Sequence, residues 1–267
     1  MADVVLITGA GRGIGREIAV RLGAAGYRLG LTARTGAELS VTERLVTEAG
    51  GRAVAVPADV TRPDGAERIC TAVEEAFGPV HALVNCAGFY GQYERFVDCD
   101  PEVWWRVLET NLHGPALLLH RLLPTMIKAG RGRVVNLGTR MAFDADPGMP
   151  FSAYGVSKAA LLRLSGILAG ELAGTGVSVF DLSPGMVRTA MSAQIPGVEE
   201  LPDEIWSLPS AAAEKVEALL SGCYDELHGH FVHVMDDLDD LCTRLRDRPG
   251  SRRLTLNPTG PDDPLSA

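Results

Sequence analysis

The sequence predicts an α/β fold: a doubly wound parallel β-sheet of about seven strands with helices on both faces. Short apolar runs of strand length alternate along the chain with longer stretches of helical periodicity. The strand-like runs have no polar face, which is typical of parallel strands that are buried on both sides. A chain of 267 residues, 46% of them hydrophobic, is long enough to bury one sizeable core.

The elements follow one another in a regular order. The apolar run at 4–7 is followed by apolar residues at Ile14, Ile18 and Leu22, which is the spacing of an amphipathic helix. The later strands are predicted at 29–31, 53–56, 80–84, 133–137, 177–180 and 230–234. The later helices are predicted at 36–49, 63–77, 101–129, 153–173 and 209–221. No linker divides this pattern, so we expect one domain over residues 1–248 and a proline-rich tail, surface-running or disordered, over 249–267.

Charge and composition exclude several classes of function. The formal net charge of −9 argues against nucleic acid or an anionic membrane surface as the main partner. The apolar runs fall short of the ~18–20 residues of a transmembrane helix, and we expect no secretory signal. Five cysteines without a CxxC pair predict a reduced cytoplasmic protein with no disulfide frame and no zinc site.

A glycine-rich turn follows the first strand directly. Residues 8–15 read Thr-Gly-Ala-Gly-Arg-Gly-Ile-Gly and lead into the first helix. Glycines let the backbone approach a pyrophosphate, and the helix N-terminus offers unpaired N–H groups to that anion. The competing interpretation is a tight turn that holds no ligand.

The spacing of these glycines resembles the short-chain dehydrogenase/reductase family. Four further motifs match that family in order: Asp-Val at 59–60, Asn-Cys-Ala-Gly at 85–88, Tyr-x3-Lys at 154–158 and Pro-Gly-Met-Val-Arg-Thr at 184–189. The resemblance covers about residues 1–190. It implies that the motifs contact the adenine, the ribose and the nicotinamide of a dinucleotide. Cys86 replaces the second Asn of the family's Asn-Asn-Ala-Gly.

The second strand ends in Ala33-Arg34, where NAD-binding units carry an acidic residue. A guanidinium matches a ribose 2′-phosphate, so Arg34, helped by Arg12, predicts NADP(H) as the cofactor. The alternative is that both arginines are solvated surface charges. The predicted cofactor-binding residues are Gly9, Arg12, Gly13, Ile14, Gly15, Arg34, Asp59, Val60, Asn85, Ala87, Gly88, Tyr154, Lys158, Pro184, Gly185, Val187 and Thr189.

Tyr154 and Lys158 are four residues apart on a predicted helix, which places both side chains on one face. Reduction of a carbonyl requires a proton at the oxygen while hydride reaches the carbon. We expect the Lys158 ammonium to lower the pKa of Tyr154, which donates that proton. The alternative is an ordinary half-buried Tyr beside a surface Lys.

The resemblance identifies Asn111 as a further catalytic residue. Pro115 has no N–H, so the helical bond to the Asn111 carbonyl cannot form and we expect the helix to kink. In the family, a water on this carbonyl links the lysine to solvent. The alternative is an ordinary helix irregularity.

The fifth strand ends in Asn-Leu-Gly-Thr at 136–139, where the family has Asn-x-Ser-Ser. Thr139 falls in the place of the catalytic Ser and keeps a hydroxyl that can polarise a carbonyl. An inactive site, or help from Ser152, are the alternatives, although Ser152 is expected to cap the helix. The loop to Tyr154 is about two residues longer than usual and contains Asp146 and Pro147, so this rim of the site is atypical.

Other features are predicted to lie outside the catalytic site. The histidines His228, His230 and His233 do not share one strand face, so no metal site is expected. Trp104 and Trp105 are interpreted as packing or interface residues. The segment 190–208 mixes apolar and acidic residues, which predicts a lid with an acidic outer face over an apolar pocket.

The sequence therefore predicts an NADPH-dependent oxidoreductase that reduces a ketone or aldehyde to an alcohol, reversibly. Asn111, Thr139, Tyr154 and Lys158 form the predicted catalytic set. An NADP-binding sensor and a non-redox dehydratase or epimerase remain alternatives. We expect a small-molecule substrate and a homo-oligomer, a dimer through the long helices or a tetramer. The C-terminal part departs from the commonest family pattern, which favours the dimer over the tetramer.

Overall fold

The computed structural model describes residues 3–144 and 149–254. Its strands are β1 (Val4–Thr8), β2 (Arg28–Ala33), β3 (Arg52–Pro57), β4 (Ala82–Asn85), β5 (Gly132–Leu137), β6 (Val177–Ser183), β7 (Met186–Val187), β8 (Trp206–Ser207) and β9 (Phe231–His233). Its α-helices are α1 (Gly13–Ala24), α2 (Gly36–Glu48), α3 (Pro63–Phe77), α4 (Pro101–Leu108), α5 (Gly114–Ala129), α6 (Ser152–Glu171), α7 (Pro209–Leu220) and α8 (Leu238–Asp247).

Seven of these strands form one parallel sheet in the spatial order β3-β2-β1-β4-β5-β6-β9. The chain starts in the middle at β1, runs outward to β3, and then crosses back to β4 and runs outward to β9. The predicted doubly wound sheet is therefore confirmed. The order reverses between β1 and β4, and ligands of such sheets bind outside the carboxyl ends of the strands at this point.

Alternation along the strands separates two hydrophobic cores. Val5 and Ile7 of β1 point to the core with α1, α2, α7 and α8, whereas Val4 and Leu6 point to the core with α3, α5 and α6. Because both faces of the strand are covered, all of β1 is buried and reads as a continuous apolar run.

The region predicted as one helix over 101–129 is interrupted. A π-helical turn, Glu109–His113, separates α4 from α5 and contains the buried Asn111. Pro115 lies in the first turn of α5, where its missing N–H removes the bond that the Asn111 carbonyl would accept in a regular helix. The widened turn accommodates the helix at this point.

Two short strands, β7 and β8, pair with each other outside the main sheet and are absent from the sequence prediction. Each has two residues, which is too short to show a period. The beginning of the predicted tail packs on the sheet edge, where Phe231 N donates to Arg252 O at 2.8 Å. Asp146, Pro147 and the rest of the predicted tail, 255–267, lie outside the described residues.

Candidate active site

The glycine turn after β1 is built by close backbone approaches. Gly9 has φ +65°, and a Cβ there would lie 2.8 Å from backbone atoms of Ala87. A Cβ at Gly15 would lie 2.4 Å from the Gly9 carbonyl oxygen. Larger residues would push the turn apart, so these two positions require glycine for a steric reason.

The turn opens onto the N-terminus of α1, which carries no acidic residue in its first turn and no side-chain cap. Its free N–H groups and positive dipole end suit a phosphate. A Cβ on Gly13 would touch Thr189 Cγ2 at 3.4 Å, so the turn also borders the 184–189 segment.

Two arginines lie near the carboxyl ends of β1 and β2. Arg12 is exposed and its guanidinium lies 3.5 Å from Glu38 Oε1. Arg34 is exposed and makes no hydrogen bond or ion pair with the described residues. Ala33 stands before it, so β2 itself ends without a carboxylate, and the nearby Glu38 Oε2 would lie 3.2 Å from a Cβ on Gly11 of the turn.

Thr8, the first residue of the glycine motif, holds the 85–88 turn, a role that the sequence did not predict. Its Oγ1 accepts hydrogen bonds from Cys86 N and Ala87 N, both at 3.0 Å. Burial raises the pKa of Cys86 to about 12, so this thiol stays protonated and is no nucleophile. The position of Thr8 at the head of the glycine motif is the sequence signal for this role.

Asp59 and Val60 lie beyond β3. Asp59 Oδ1 accepts from Thr61 N at 2.9 Å and from the Thr61 hydroxyl at 2.8 Å, which fixes the turn before α3. Val60 is buried, and a Cβ on Gly114 would lie 3.0 Å from its Cγ2. Asp59 and Val60 therefore form the edge of the candidate site between β3 and the first turn of α5.

The 184–189 segment is fixed by Ser192, a second residue whose role the sequence did not predict. Ser192 Oγ donates to Val187 O at 2.8 Å and accepts from Thr189 N at 2.9 Å. Gly185 has φ +72° and lies against Ser207, so the segment turns sharply between β6 and β7.

Tyr154 lies in the first turns of α6 and is only 8% exposed. The ring of Tyr90 covers it at a centroid distance of 4.2 Å, and Tyr90 stacks on Phe151 at 4.6 Å. This aromatic cover comes from the loop after β4 and from the residue before α6. No sequence pattern pointed to it.

Lys158 lies one turn further along α6 and is 6% exposed. Its Nζ donates to Leu137 O, at the end of β5, at 2.6 Å and lies 5.8 Å from the ring centroid of Tyr154. The alternative of a surface lysine is therefore wrong. Burial lowers the pKa of Lys158 to about 8.

The expected lowering of the Tyr154 pKa is also wrong for this structure. Burial raises the pKa of Tyr154, and neighbouring Tyr90 and Cys86 raise it further. The physical reason is that aromatic rings exclude water from the phenol, while the Lys158 ammonium is directed to the Leu137 carbonyl. The phenol of Tyr154 is therefore protonated at neutral pH.

Asn111 is fully buried and its side chain connects two elements of the site. Its Nδ2 donates to Phe89 O and to Ser157 Oγ, both at 2.9 Å, and its Oδ1 accepts from Phe89 N at 2.8 Å. Ser157 in turn donates to Tyr154 O at 2.8 Å. The Asn111 side chain therefore fixes the loop after β4 against α6, and none of its hydrogens is left for a substrate.

Thr139 follows β5 by two residues, and its Oγ1 accepts from Met141 N at 3.3 Å. This bond uses a lone pair and leaves the hydroxyl hydrogen for another acceptor. The prediction that Ser152 caps α6 is wrong. Phe151 is the N-cap residue, and Ser152 Oγ accepts from Trp104 Nε1 at 3.1 Å.

The 190–208 segment packs onto the aromatic cover. Ile195 and Val198 are buried in one cluster with Phe151 and Tyr154, and Trp104 packs on the same cluster. Asp203 and the other acidic residues of the segment are exposed. An apolar inner face and an acidic outer face are thus both present, and Trp104 is a packing residue as expected. Trp105 is 61% exposed.

The three C-terminal histidines make hydrogen bonds to the backbone. His228 Nδ1 accepts from Val179 N at 3.0 Å and His233 Nδ1 accepts from Met235 N at 3.2 Å, while His230 Nε2 lies 3.1 Å from Pro249 O. In the described parts of the chain, no three His, Cys, Asp or Glu residues are grouped to hold a metal ion. No helix there combines the length and apolar character needed to cross a bilayer.

A glycine turn at the switch point of a doubly wound sheet, together with a buried tyrosine and lysine one helical turn apart, is typical of a dinucleotide-dependent oxidoreductase. The sequence model of the family described as short chain dehydrogenase matches residues 3–199. The chain therefore belongs to the short-chain dehydrogenases, which are oxidoreductases that use a nicotinamide cofactor, and the resemblance seen in the sequence is confirmed.

Similar proteins include several reductases. The chain is 36% identical to a putative ketoacyl reductase from Streptomyces coelicolor over 215 residues, 79% of this chain and 80% of that protein. It is 36% identical over 191 residues to a short chain dehydrogenase from Pseudocercospora fijiensis, a match over 70% of this chain and 60% of that longer protein.

Two solved structures share the fold over most of the chain. The actinorhodin polyketide ketoreductase with NADPH superimposes with a TM-score of 0.82 at 32% identity, covering 87% of this chain and 95% of that one. NAD⁺-bound xylitol dehydrogenase superimposes with a TM-score of 0.79 at 26% identity, covering 86% and 96%. The two neighbours hold different nicotinamide cofactors.

Proposed function

We propose that the protein is an NADPH-dependent reductase that converts an apolar ketone or aldehyde to its alcohol, reversibly. The observation that carries this proposal is the burial of Tyr154 and Lys158 on one face of α6, with Lys158 fixed to the end of β5 by the Leu137 carbonyl. A sensor that only binds the dinucleotide has no use for a buried proton donor of this kind.

The described residues fit a dinucleotide. The cradle at Gly9 and Gly15 leaves no room for a Cβ, and the first turn of α1 contains no acidic residue. The pyrophosphate would lie on the turn, the adenine beside Asp59 and Val60, and the ribose beside the 85–88 turn. The carboxamide of the nicotinamide would lie on the 184–189 segment. When bound, the nicotinamide supplies a hydride to the substrate carbon.

Arg34 supports NADPH rather than NADH. Its guanidinium is exposed, has no acidic partner among the described residues, and follows Ala33 where a carboxylate would favour an unphosphorylated ribose. Arg12 is the weaker candidate because Glu38 lies 3.5 Å from its guanidinium.

Each residue of the predicted catalytic set has a separate role in the reaction. Tyr154 donates its phenolic proton to the carbonyl oxygen as negative charge grows there. Because the pKa of Tyr154 is raised, the phenol stays protonated until negative charge develops on the carbonyl oxygen. Lys158, with a pKa of about 8, then returns a proton to the phenolate. Thr139 donates a hydrogen bond to the same oxygen, and Asn111 fixes the loop that carries Tyr90.

The apolar lid supports a ketone with a hydrocarbon or aromatic body. Ile195 and Val198 face Tyr154 through the aromatic cluster, so substrate has to displace apolar surface to reach the phenol. Ketoacyl and polyketide chains, the substrates in the names of two similar proteins, have this character. The cover also requires Tyr90 or the lid to move before each turnover.

We also propose a cytoplasmic homodimer. Five unpaired cysteines support a reducing compartment. Trp105 of α4 and Val156 of α6 expose apolar surface that a second copy would cover, at 61% and 48% exposure. The oligomeric state is measured by light scattering, and a monomer at micromolar concentration would contradict it.

The test of the activity is NADPH oxidation at 340 nm in the presence of a panel of oxo-acyl thioesters, cyclic ketones and aldehydes. The proposal predicts turnover of at least one apolar ketone and a higher kcat/KM with NADPH than with NADH. Tight NADPH binding without oxidation across the panel would favour the sensor or the dehydratase and epimerase alternatives.

A further inference from the structure

A row of buried polar side chains crosses the sheet beneath Lys158. Asn85, Asn136 and Asp181 are direct neighbours in the register of β4, β5 and β6. Asn85 Nδ2 donates to Asn136 Oδ1 at 2.8 Å, and Asn136 Nδ2 donates to Ser165 Oγ of α6 at 3.0 Å. Ser165 Oγ lies 2.9 Å from Asp181 Oδ1, so the row ends on a carboxyl that is 1% exposed.

The Ser165 hydroxyl has one hydrogen and two acceptors within reach. Leu161 O lies at 3.1 Å and Asp181 Oδ1 at 2.9 Å. When Asp181 is ionised, Ser165 donates to it. When Asp181 is protonated, the carboxyl donates to Ser165, and Ser165 donates to Leu161 O. One proton therefore selects between two hydrogen-bond arrangements of the row.

The carboxyl is held neutral over much of the pH range. Asp181 Oδ2 is buried and has no hydrogen-bond partner among the described residues. An ionised carboxylate in that position is costly, and burial raises the pKa of Asp181 to about 8, opposed by the Ser165 and Asn136 hydrogen bonds and by the charge of Lys158.

Lys158 and Ser165 are seven residues apart on α6, two turns along the same face. Their partners, Leu137 O and Asp181 Oδ1, lie in adjacent rungs of the β5–β6 ladder, since Asn136 pairs with Asp181 and Leu137 with Leu182. The ammonium and the carboxyl thus face the same buried layer between α6 and the sheet.

Few other charges reach this layer. Cys86 and, with a smaller effect, Asp181 act on Lys158, but the burial-raised pKa of Cys86, about 12, keeps that thiol neutral. Lys158 is the ionisable group that acts on Asp181. Asp181 and Lys158 therefore act on each other, and each favours the charged form of its partner.

We propose that Asp181 is a positioning residue of the active site, whose buried carboxyl holds Lys158 in its ammonium form once the carboxyl has lost its own proton. Asp181 does not touch the substrate; it acts through Lys158. The consequence for catalysis rests on the proposed function, in which Lys158 returns a proton to Tyr154. In that reaction, the ionised Asp181 carboxyl keeps Lys158 protonated, and able to return a proton to Tyr154, up to a higher pH.

The charge of Lys158 can be followed without any activity. The sequence contains three lysines, Lys128, Lys158 and Lys215, so a protein labelled with ¹³C at lysine Cε gives a readable NMR spectrum. Lys128→Arg and Lys215→Arg variants assign the signals. Titration across the neutral and alkaline range then gives the midpoint of Lys158 in the wild-type chain and in variants.

Asp181→Asn keeps the size of the side chain but cannot ionise, so Lys158 loses the charge that favours its ammonium. We expect its titration midpoint to fall by about one pH unit. Ser178→Ala is the matched control, because it removes a buried hydroxyl from the same strand three residues earlier. Its midpoint should equal that of the wild type, and an equal midpoint in Asp181→Asn would overturn the proposal.

Ser165→Ala provides a second arm, which decides the matter if Asp181→Asn does not fold. Removing the Ser165 hydroxyl takes away a hydrogen bond that favours the ionised form of Asp181. The titration midpoint of Lys158 should therefore be lower than in the wild type, although the fall should be smaller than in Asp181→Asn. No change in Ser165→Ala would contradict the proposal as well.

The pH profile of kcat then connects the pair to catalysis. In Asp181→Asn, the alkaline limb of NADPH-dependent reduction should move down by the same interval as the NMR midpoint. A shifted midpoint in a protein that reduces no ketone would support the pairing and refute the proposed function. A fixed midpoint in an active reductase would do the reverse.

Discussion

Thr139 offers the sharpest test of how the carbonyl is polarised. Its Oγ1 already accepts from Met141 N at 3.3 Å, so its hydrogen is the part of the hydroxyl that a substrate oxygen can use. Thr139→Val keeps the shape and removes that hydrogen. Loss of one positioned donor to a developing oxyanion typically costs about 10²–10³ in kcat. NADPH affinity should barely change, because Thr139 belongs to none of the predicted cofactor-binding segments.

Thr139 is the N-cap of the short 3-10 turn Arg140–Ala142, so the same change also removes the bond from Met141 N, at a cost of about 1 kcal/mol of stability. The predicted signature in steady-state kinetics and thermal melts is therefore a large fall in kcat with a small fall in Tm. Thr139→Ser restores both bonds and should retain most of the activity.

Ser152→Ala is the matched control, because Ser152 accepts from Trp104 Nε1 at 3.1 Å and supports packing. It should lower stability slightly and leave kcat within a few-fold. An active Thr139→Val beside an inactive Ser152→Ala would transfer the polarising role to Ser152. If both remain active while Tyr154→Phe is inactive, no hydroxyl other than that of Tyr154 is needed, and the reasoning is refuted.

Three further predictions concern the cofactor, the turn and pH. Arg34→Asp should lower kcat/KM with NADPH about 10- to 100-fold, the worth of a charged hydrogen bond, and raise it with NADH; an unchanged preference would contradict the role of Arg34. Gly15→Ala places a Cβ 2.4 Å from Gly9 O, so we expect a loss of about 1–3 kcal/mol by denaturant unfolding and weaker NADPH binding by calorimetry, and wild-type behaviour would refute the geometry. The pKa of Asp181 is about 8 in the folded protein, which exceeds its value in the unfolded chain. The contribution of Asp181 to stability is therefore full below about pH 4 and is lost as pH rises through about 8. The Tm advantage of Asp181→Asn should therefore grow from acidic to alkaline pH, and a constant difference would contradict the burial argument.

The sheet and the glycine turn after β1 could be predicted from the sequence because they depend on local patterns. Strands such as β1, buried on both faces, read as apolar runs, and the glycines of the turn are required by contacts close along the chain or across one strand pair. The segment at 85–88 is positioned by Thr8, which belongs to the same glycine motif.

The surroundings of Tyr154 and Ser152 could not be predicted, because they arise from residues distant in the sequence. Tyr90 and Phe151 come together over Tyr154 from separate loops, and their exclusion of water reverses the expected direction of its pKa shift. Serine is a typical N-cap residue, but the Ser152 hydroxyl accepts a hydrogen bond from the indole of Trp104. Local propensity cannot anticipate such contacts.

The central claim is that hydride from NADPH and a proton from Tyr154 reduce a substrate carbonyl. Its most direct test is a reaction with NADPH deuterated at C4 of the nicotinamide on the transferred face, in which the alcohol is analysed by mass spectrometry and NMR. The claim predicts one deuterium on the carbinol carbon with the wild-type enzyme and no alcohol with Tyr154→Phe, although both proteins bind NADPH equally. Alcohol formed by Tyr154→Phe at the wild-type rate, or product without deuterium, would contradict it.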